Sequence, residues 1–323
     1  MDLRIRPRRN RRTGALRALA QETRLVPDQL ILPLFVVPGE RREEPVAAMP
    51  GVVRLSPDLL AVRAEKLAVR AVLVFGVPDR GGKDATGSTA VRDDALVPAA
   101  VRALRRARPE LAIITDVCLC AYTDHGHCGA LGASGAIDND RTLGLLARMA
   151  EVHAAAGADL VAPSAMADGQ VRAIRERLDG SGFAETGIVS YAAKFASAFY
   201  GPFREAAGSR PAFGDRRAYQ LPPANRREAV RDALLDEAEG AEWLMVKPAL
   251  PYLDVISDLR AASRLPVAAY QVSGEYAMLK HAAAAGALDE RSAAMESLLA
   301  IRRAGADAIV TYYAEEAGQW LDR

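Results

Sequence analysis

Eight short runs of apolar and β-branched residues recur along the chain, at 30–36, 71–77, 112–119, 159–163, 187–191, 243–247, 266–272 and 308–312. Their apolar character is continuous rather than alternating, the pattern of strands buried on both faces of a parallel sheet. Amphipathic stretches with helical spacing lie between them, at 58–69, 94–107, 140–156, 227–239 and 291–303. Several open on Asp or follow a Ser or Asn that can cap the first turn. Eight β-α units over about 300 residues predict an α/β chain folded as a TIM (β/α)8 barrel. A doubly wound sheet uses fewer strands and a Gly-rich first crossover, and no GxGxxG follows the first run. The longest interval, between Tyr191 and Trp243, holds Phe199-Tyr200-Gly201-Pro202-Phe203 and Gly214-Asp215-Arg216-Arg217. A long polar loop with aromatics and Gly predicts an active-site lid. No linker or repeat interrupts the pattern, so the chain divides into an extended N-terminal arm, 1–28, and one barrel domain, 29–323.

Composition narrows the function classes. With 50% hydrophobic and 26% charged residues the chain can bury a large core, unlike a disordered or fibrous sequence. A net charge of +1 offers no general attraction to nucleic acid or an anionic membrane. No run reaches the length of a bilayer span, and Met1-Asp2-Leu3-Arg4-Ile5-Arg6 lacks the apolar region of a signal peptide, so a cytoplasmic location is expected. The arm alone is strongly basic, with six arginines at Arg4, Arg6, Arg8, Arg9, Arg11 and Arg12. A solvated tail, an arm embracing another subunit and a nucleic-acid contact all fit it.

All three cysteines fall between Cys118 and Cys128, in Asp116-Val117-Cys118-Leu119-Cys120-Ala121-Tyr122-Thr123-Asp124-His125-Gly126-His127-Cys128-Gly129. An odd, clustered set is metal chemistry rather than a disulfide framework. The segment is expected to begin inside the third strand and run into the loop at its C-terminal end, where barrel enzymes keep their chemistry. There Cys118 and Cys120 would share one side of the strand and the turn would return Cys128. Soft sulfur favours zinc, and three ligands leave a fourth position for water, substrate, His125 or His127. Two lysines stand at strand ends, Lys194 just after the fifth run and Lys247 at the end of the sixth. Low hydration and a neighbouring ammonium both lower a lysine pKa and free an amine nucleophile. Asp116, Ser164, Ser273 and Tyr312 also fall at strand ends, with Arg204 and Arg216 on the lid, as proton-transfer and carboxylate-binding groups.

From Arg11 to Trp320 these residues, in this order, resemble the porphobilinogen synthase (5-aminolevulinate dehydratase) family. The segment 116–129 is similar to its zinc-type motif, which metal-switched members alter to Asp or Ala. Tyr191-Ala192-Ala193-Lys194-Phe195-Ala196-Ser197-Ala198-Phe199-Tyr200-Gly201-Pro202-Phe203-Arg204 and Leu244-Met245-Val246-Lys247-Pro248-Ala249 are similar to its two lysine segments. Tyr270-Gln271-Val272-Ser273-Gly274-Glu275-Tyr276 and Thr311-Tyr312-Tyr313 complete the pattern. The resemblance implies condensation of two 5-aminolevulinate molecules to porphobilinogen with loss of two waters, at the entry to tetrapyrrole and heme biosynthesis. It further implies a Schiff base on Lys247 for the propionate-side substrate, with Ser273 and Tyr312 on its carboxylate. Lys194 would hold the acetate-side substrate, with Arg204 and Arg216 on its carboxylate and Tyr200 and Phe203 beside the substrates. Zinc on Cys118, Cys120 and Cys128 would act as a Lewis acid and assist proton removal, with Asp116 as a catalytic group and Ser164 orienting groups nearby. Many members also bind an activating magnesium through a Glu of the helix before the sixth strand. Here Arg231-Asp232 stands there, a shorter carboxylate that can still reach the ion through water. The family forms homo-octamers in which the arm wraps a neighbour, with hexamers or dimers as alternatives.

Two other readings compete. A lysine-dependent aldolase on the same barrel has no use for three thiolates. A zinc- or RNA-binding protein leaves the paired lysines and the lid without purpose.

Overall fold

The computed structural model describes residues 3–321. Met1, Asp2, Asp322 and Arg323, the outer ends of the arm and of the barrel domain as divided from the sequence, lie outside the described residues.

Among the described residues ten strands form one sheet: β1 Leu30–Val36, β2 Glu43–Pro45, β3 Val53–Leu55, β4 Ala71–Gly76, β5 Ala112–Val117, β6 Leu160–Pro163, β7 Gly187–Lys194, β8 Trp243–Lys247, β9 Val267–Gln271 and β10 Ala308–Thr311. Eight of them, β1 and β4 to β10, run parallel in sequence order, and β10 pairs back onto β1 through Leu30↔Ile309. That closes the predicted TIM barrel. The hairpin β2–β3 is an addition at the mouth, where β3 pairs with the C-terminal end of β1 through Phe35↔Arg54 and Val36↔Leu55.

The barrel strands are buried nearly throughout, all seven residues of β1 included, as expected of strands covered on both faces. The flanking helices bury the apolar stripe read from the sequence. Helix Leu96–Ala107 hides Val97, Ala100, Val101 and Leu104, each large side chain adding about 1.5–3 kcal/mol. Helices Asn139–Ala155 and Glu290–Ala304 are capped by Asp138 and Asp289, whose carboxylates accept from Arg141 N and Ser292 N, satisfying first-turn donors that the helix leaves free.

Boundaries shift where tertiary contacts outweigh local pattern. The helix expected over 58–69 ends at Ala64, and its remaining apolar positions, Leu67 and Val69, are buried in a turn instead. β5 ends at Val117, so Cys118 and Cys120 lie in the following loop rather than in the strand. β7 continues through Lys194, which is therefore the last residue of the strand and not part of the loop after it.

Before β1 the chain forms a 3-10 turn, Pro7–Arg11, and a short helix, Gly14–Leu19, neither with a buried residue. Among the described residues no helix is long and apolar enough to cross a membrane.

Candidate active site

The geometry of the site begins with a bulge. Between Ser190 and Ala193, β7 carries one residue more than β8, and the ladder resumes as Ala193↔Val246 and Lys194↔Lys247. An extra residue resets the in-out alternation of a strand. Tyr191 and Lys194, three apart, consequently both meet the interior, with the ammonium 5.5 Å from the ring centre. The same bulge sets the two lysines level across adjacent strands.

Lys247 and Lys194 are 3% and 5% exposed. Around the Lys247 Nζ stand the rings of Tyr270 at 4.1 Å, Tyr191 and Phe203 at 4.9 Å, Tyr200 at 5.6 Å and Phe75 at 6.0 Å. Ring faces attract a cation but replace few of the hydrogen bonds that water gave it. Burial, then the charge of Lys194, pushes the Lys247 pKa down to about 7. Lys194 instead donates to the carbonyl of Ser164 at 2.5 Å. Asp116 lies within electrostatic reach of both amines. Burial pushes its carboxyl up against the pull of Lys194 and Lys247, and its Oδ1 has no hydrogen-bond partner among the described residues.

Cys118, Cys120 and Cys128 are buried, with sulfurs within 4.8 Å of one another. Hydrogen bonds from Cys118 and Cys120 hold Cys128 well below the ordinary thiol range, and the charges of Arg216 and Lys194 act in the same direction. Donating to Cys120 and to Cys128, together with burial, pushes Cys118 well up. A trio that shares protons while one thiol ionises readily is the donor set a soft cation takes by displacing them, so the residues fit a metal ion. Among the described residues no other group of three or more His, Cys, Asp or Glu converges in this way.

The histidines that offered one way to fill the fourth position are engaged elsewhere. His125 accepts from His127 N at Nδ1 and meets Ala85 O at Nε2. His127 meets Tyr219 OH at Nδ1 and Phe213 O at Nε2. His127 joins the cysteine loop to the lid, and His125 joins it to the loop after β4. Gly126, at φ +71, is required there, since a Cβ would lie 2.4 Å from Arg210 O.

The lid is the chain from Phe195 to Leu221, pinned at both ends by Phe195 N to Lys247 O at 3.0 Å and Leu221 N to Lys194 O at 3.0 Å. Tyr200 OH donates to Lys247 O at 3.1 Å, and Phe203 N donates to Ser273 Oγ at 2.9 Å. Arg216, 6% exposed, donates to Gly126 O and Ser209 O. Burial works against its charge, yet the neighbouring thiolates win and raise its pKa. Burial and the charges of Arg216 and Arg210 press on Arg204 the other way. The Nε atoms of Arg204 and Arg216 are buried without acceptors among the described residues, a pair of donors suited to an anion. Across the mouth Ser273 and Tyr312 are buried, Tyr312 OH lying 3.1 Å from Tyr270 OH.

The lid seals both amines. A cleft of about 850 Å3 opens beside them on the thiol side, lined by Cys128, Phe213, Tyr219 and, on helix Arg226–Ala238, Asp232 and Asp236. Burial, opposed by Arg231, raises the Asp232 carboxyl, and Glu228 and Asp168 add to the rise. Asp232 is thus outside the barrel mouth. Phe75, Tyr191 and Tyr270, three walls of the Lys247 cage, read in the sequence as ordinary strand core. Their signal was an aromatic at the C-terminal end of an inward-facing strand row.

Amines sealed from water beside soft metal ligands at the top of a barrel define the class, an enzyme of amine-carbonyl chemistry with a thiolate centre. Residues 4–320 match the family model for delta-aminolevulinic acid dehydratase, and the chain belongs to that family. The dehydratase of Escherichia coli is 53% identical over 316 residues, covering 97% of this chain and 96% of its own. That of Bacillus subtilis is 48% identical over 319 residues, covering 98% of each. A crystal structure of the Toxoplasma gondii enzyme in complex with the reaction product porphobilinogen superposes with a TM-score of 0.96 at 46% identity, covering 98% of this chain and 91% of that one.

Proposed function

We propose that the protein is a porphobilinogen synthase, a hydro-lyase that condenses two molecules of 5-aminolevulinate to porphobilinogen and two waters in heme biosynthesis. The observation that carries the reading is the level pair of buried lysines beside three converging thiols.

Each lysine does a different task. Lys247, about half neutral at pH 7, attacks the ketone of the propionate-side substrate, and the imine forms as water leaves. An iminium is a better electrophile and carbon acid than its ketone, which brings C–N and C–C bond formation within reach at neutral pH. Ser273 and Tyr312 receive that substrate's carboxylate, and the aromatic cage excludes water from an adduct that hydrolyses readily. Lys194 holds the acetate-side substrate, whose carboxylate satisfies Arg204 and Arg216. Asp116, which feels the charge of both amines, takes up and returns protons, with Ser164 orienting it, while Tyr200 and Phe203 close over both. Zinc is the ion the three thiols suit, and when bound it supplies Lewis-acid chemistry beside the Lys194 half.

Asp232 is the magnesium candidate. With Asp168, Glu228 and Asp236 it lines an acidic stretch of the cleft that a hydrated ion suits. The arm, with Ile5 85% and Leu19 83% exposed, is read as a unit separate from the barrel domain that embraces a neighbour in a homo-octamer rather than nucleic acid. The location is read as cytoplasmic.

The test is porphobilinogen formation from 5-aminolevulinate by purified protein, with a zinc chelator and after zinc is returned. Loss and recovery of product is expected. Product that survives verified metal removal would remove zinc from the mechanism, and folded protein that makes none in any metal condition would return the chain to the aldolase reading.

A further inference from the structure

The lid is held from two sides, and only one of them is the active site. Its short helix, Gly201–Ala206, carries Phe203 and Arg204. A helix leaves its last carbonyls without partners and concentrates negative charge there. Here cations from two distant elements take the carbonyls at and beyond that end. Arg54 Nε donates to Ala206 O at 2.6 Å and its Nη2 to Glu205 O at 2.7 Å. Lys83 Nζ donates to Gly208 O at 2.6 Å.

Neither cation hangs free. Arg54 lies on β3 in register with Phe35, whose ring meets Phe203 at 5.8 Å. Its Nη1 pairs with Glu44 on β2 at 3.3 Å, and Glu44 is held in turn by Arg42, which is tied to Asp79. Lys83 sits in the loop after β4, next to Asp84, which is stitched to the cysteine loop by Asp84 N to Tyr122 O and Asp124 N to Asp84 O. The guanidinium is therefore set by the barrel rim independently of the lid, the backbone that carries Lys83 is set by the cysteine loop, and on the lid both cations touch only backbone. Arg204 O, one residue before the clamped carbonyls, accepts from Ser209 N at 3.1 Å, so the clamp and the turn after it fix the stretch that presents Arg204.

We propose that Arg54 and Lys83 are positioning residues of the lid, clamping the carbonyls of Glu205, Ala206 and Gly208 so that Phe203 and Arg204 are held over the substrates. The proposal rests on the reading of the site as a porphobilinogen synthase. Without the clamp the lysines and thiols stay in place and the closed lid becomes a smaller fraction of the population. Apparent affinity falls by the inverse of that fraction, while a saturated enzyme, closed by its substrates, turns over at nearly the same rate.

The experiment compares wild type with Arg54→Gln, Arg54→Lys and Lys83→Gln in zinc-loaded enzyme. KM and kcat for 5-aminolevulinate are measured, and tryptic cleavage at Arg204, Arg216 and Arg217 is timed by mass spectrometry without substrate. Arg54→Gln is expected to raise KM about tenfold with kcat within about threefold of wild type, and to speed lid cleavage about tenfold. Arg54→Lys should recover part of both effects, and Lys83→Gln should shift both in the same direction by less. An unchanged KM with unchanged lid cleavage in Arg54→Gln overturns the proposal, as does a fall in kcat at constant KM. Should Arg54→Gln fail to fold, Lys83→Gln decides by the same two readings. A wild type that makes no porphobilinogen would defeat the functional reading alone, and the cleavage rates would still judge the clamp.

Discussion

Lys194 and Lys247 face each other across one rung of the ladder, yet their surroundings split the barrel mouth into unlike halves. Around Lys247 are five aromatic rings, and its pKa is pushed down to about 7. Around Lys194 are a single ring, a backbone carbonyl at 2.5 Å and the thiolate side of the site. The difference teaches how two chemically identical substrates can be given different tasks. A dry aromatic half makes a free amine and shelters an imine, and a polar half beside soft ligands and guanidiniums holds a second molecule by its charges.

The comparison can be broken most forcefully at the amines. Lys247→Met and Lys194→Met should each cut turnover by about four orders of magnitude. Borohydride should still trap one substrate on Lys247 in Lys194→Met and trap none at that position in Lys247→Met, as read by peptide mass. Equal trapping in both would erase the division. Next in size, Cys128→Ser should lower turnover about a thousandfold and abolish stoichiometric zinc while leaving the Lys247 adduct intact. Loss of that adduct would mean that the thiol half governs both amines.

Phe203→Ala opens the cage to water. Rehydration favours the ammonium, so the acid limb of the adduct-formation profile should rise from about 7 toward the ordinary lysine value, by about one unit. The rate at pH 7 should fall about fivefold, since a pKa of about 7 leaves about half of the amine free at that pH and a pKa about one unit higher leaves about a tenth. A limb that stays put would assign the low pKa to Lys194 rather than to burial. The smallest effect is expected at His127, whose nitrogens face Tyr219 and Phe213. His127→Ala should keep full zinc stoichiometry and cost about 1 kcal/mol in urea unfolding. Loss of zinc would restore it as a ligand.

Much of this site was legible in the sequence because its signals are local. Strands 30–36 and 243–247 read with their observed ends, and cysteines within eleven positions, 118 to 128, could hardly avoid one another in a single loop. What local pattern hides is register and reach. The bulge at Ser190 to Ala193 that levels the lysines depends on the neighbouring strand. Nothing in His125-Gly126-His127 announces that one ring turns toward the loop after β4 and the other toward the lid. The Arg54 contacts span 151 and 152 residues of chain, and the hairpin that carries them, β2–β3, is too short and too polar to register as strands.

The most direct test of the two-half account is the pH dependence of single-turnover trapping. Wild-type enzyme would be mixed with less than one equivalent of 5-aminolevulinate, reduced with borohydride from pH 5 to pH 10, and its modified lysine mapped. The account predicts an adduct on Lys247 whose rate rises with pH through a midpoint of about 7 and then levels, because the amine is already free above it. An adduct that appears first on Lys194, or a midpoint near the unperturbed lysine value of about 10.4, would contradict it.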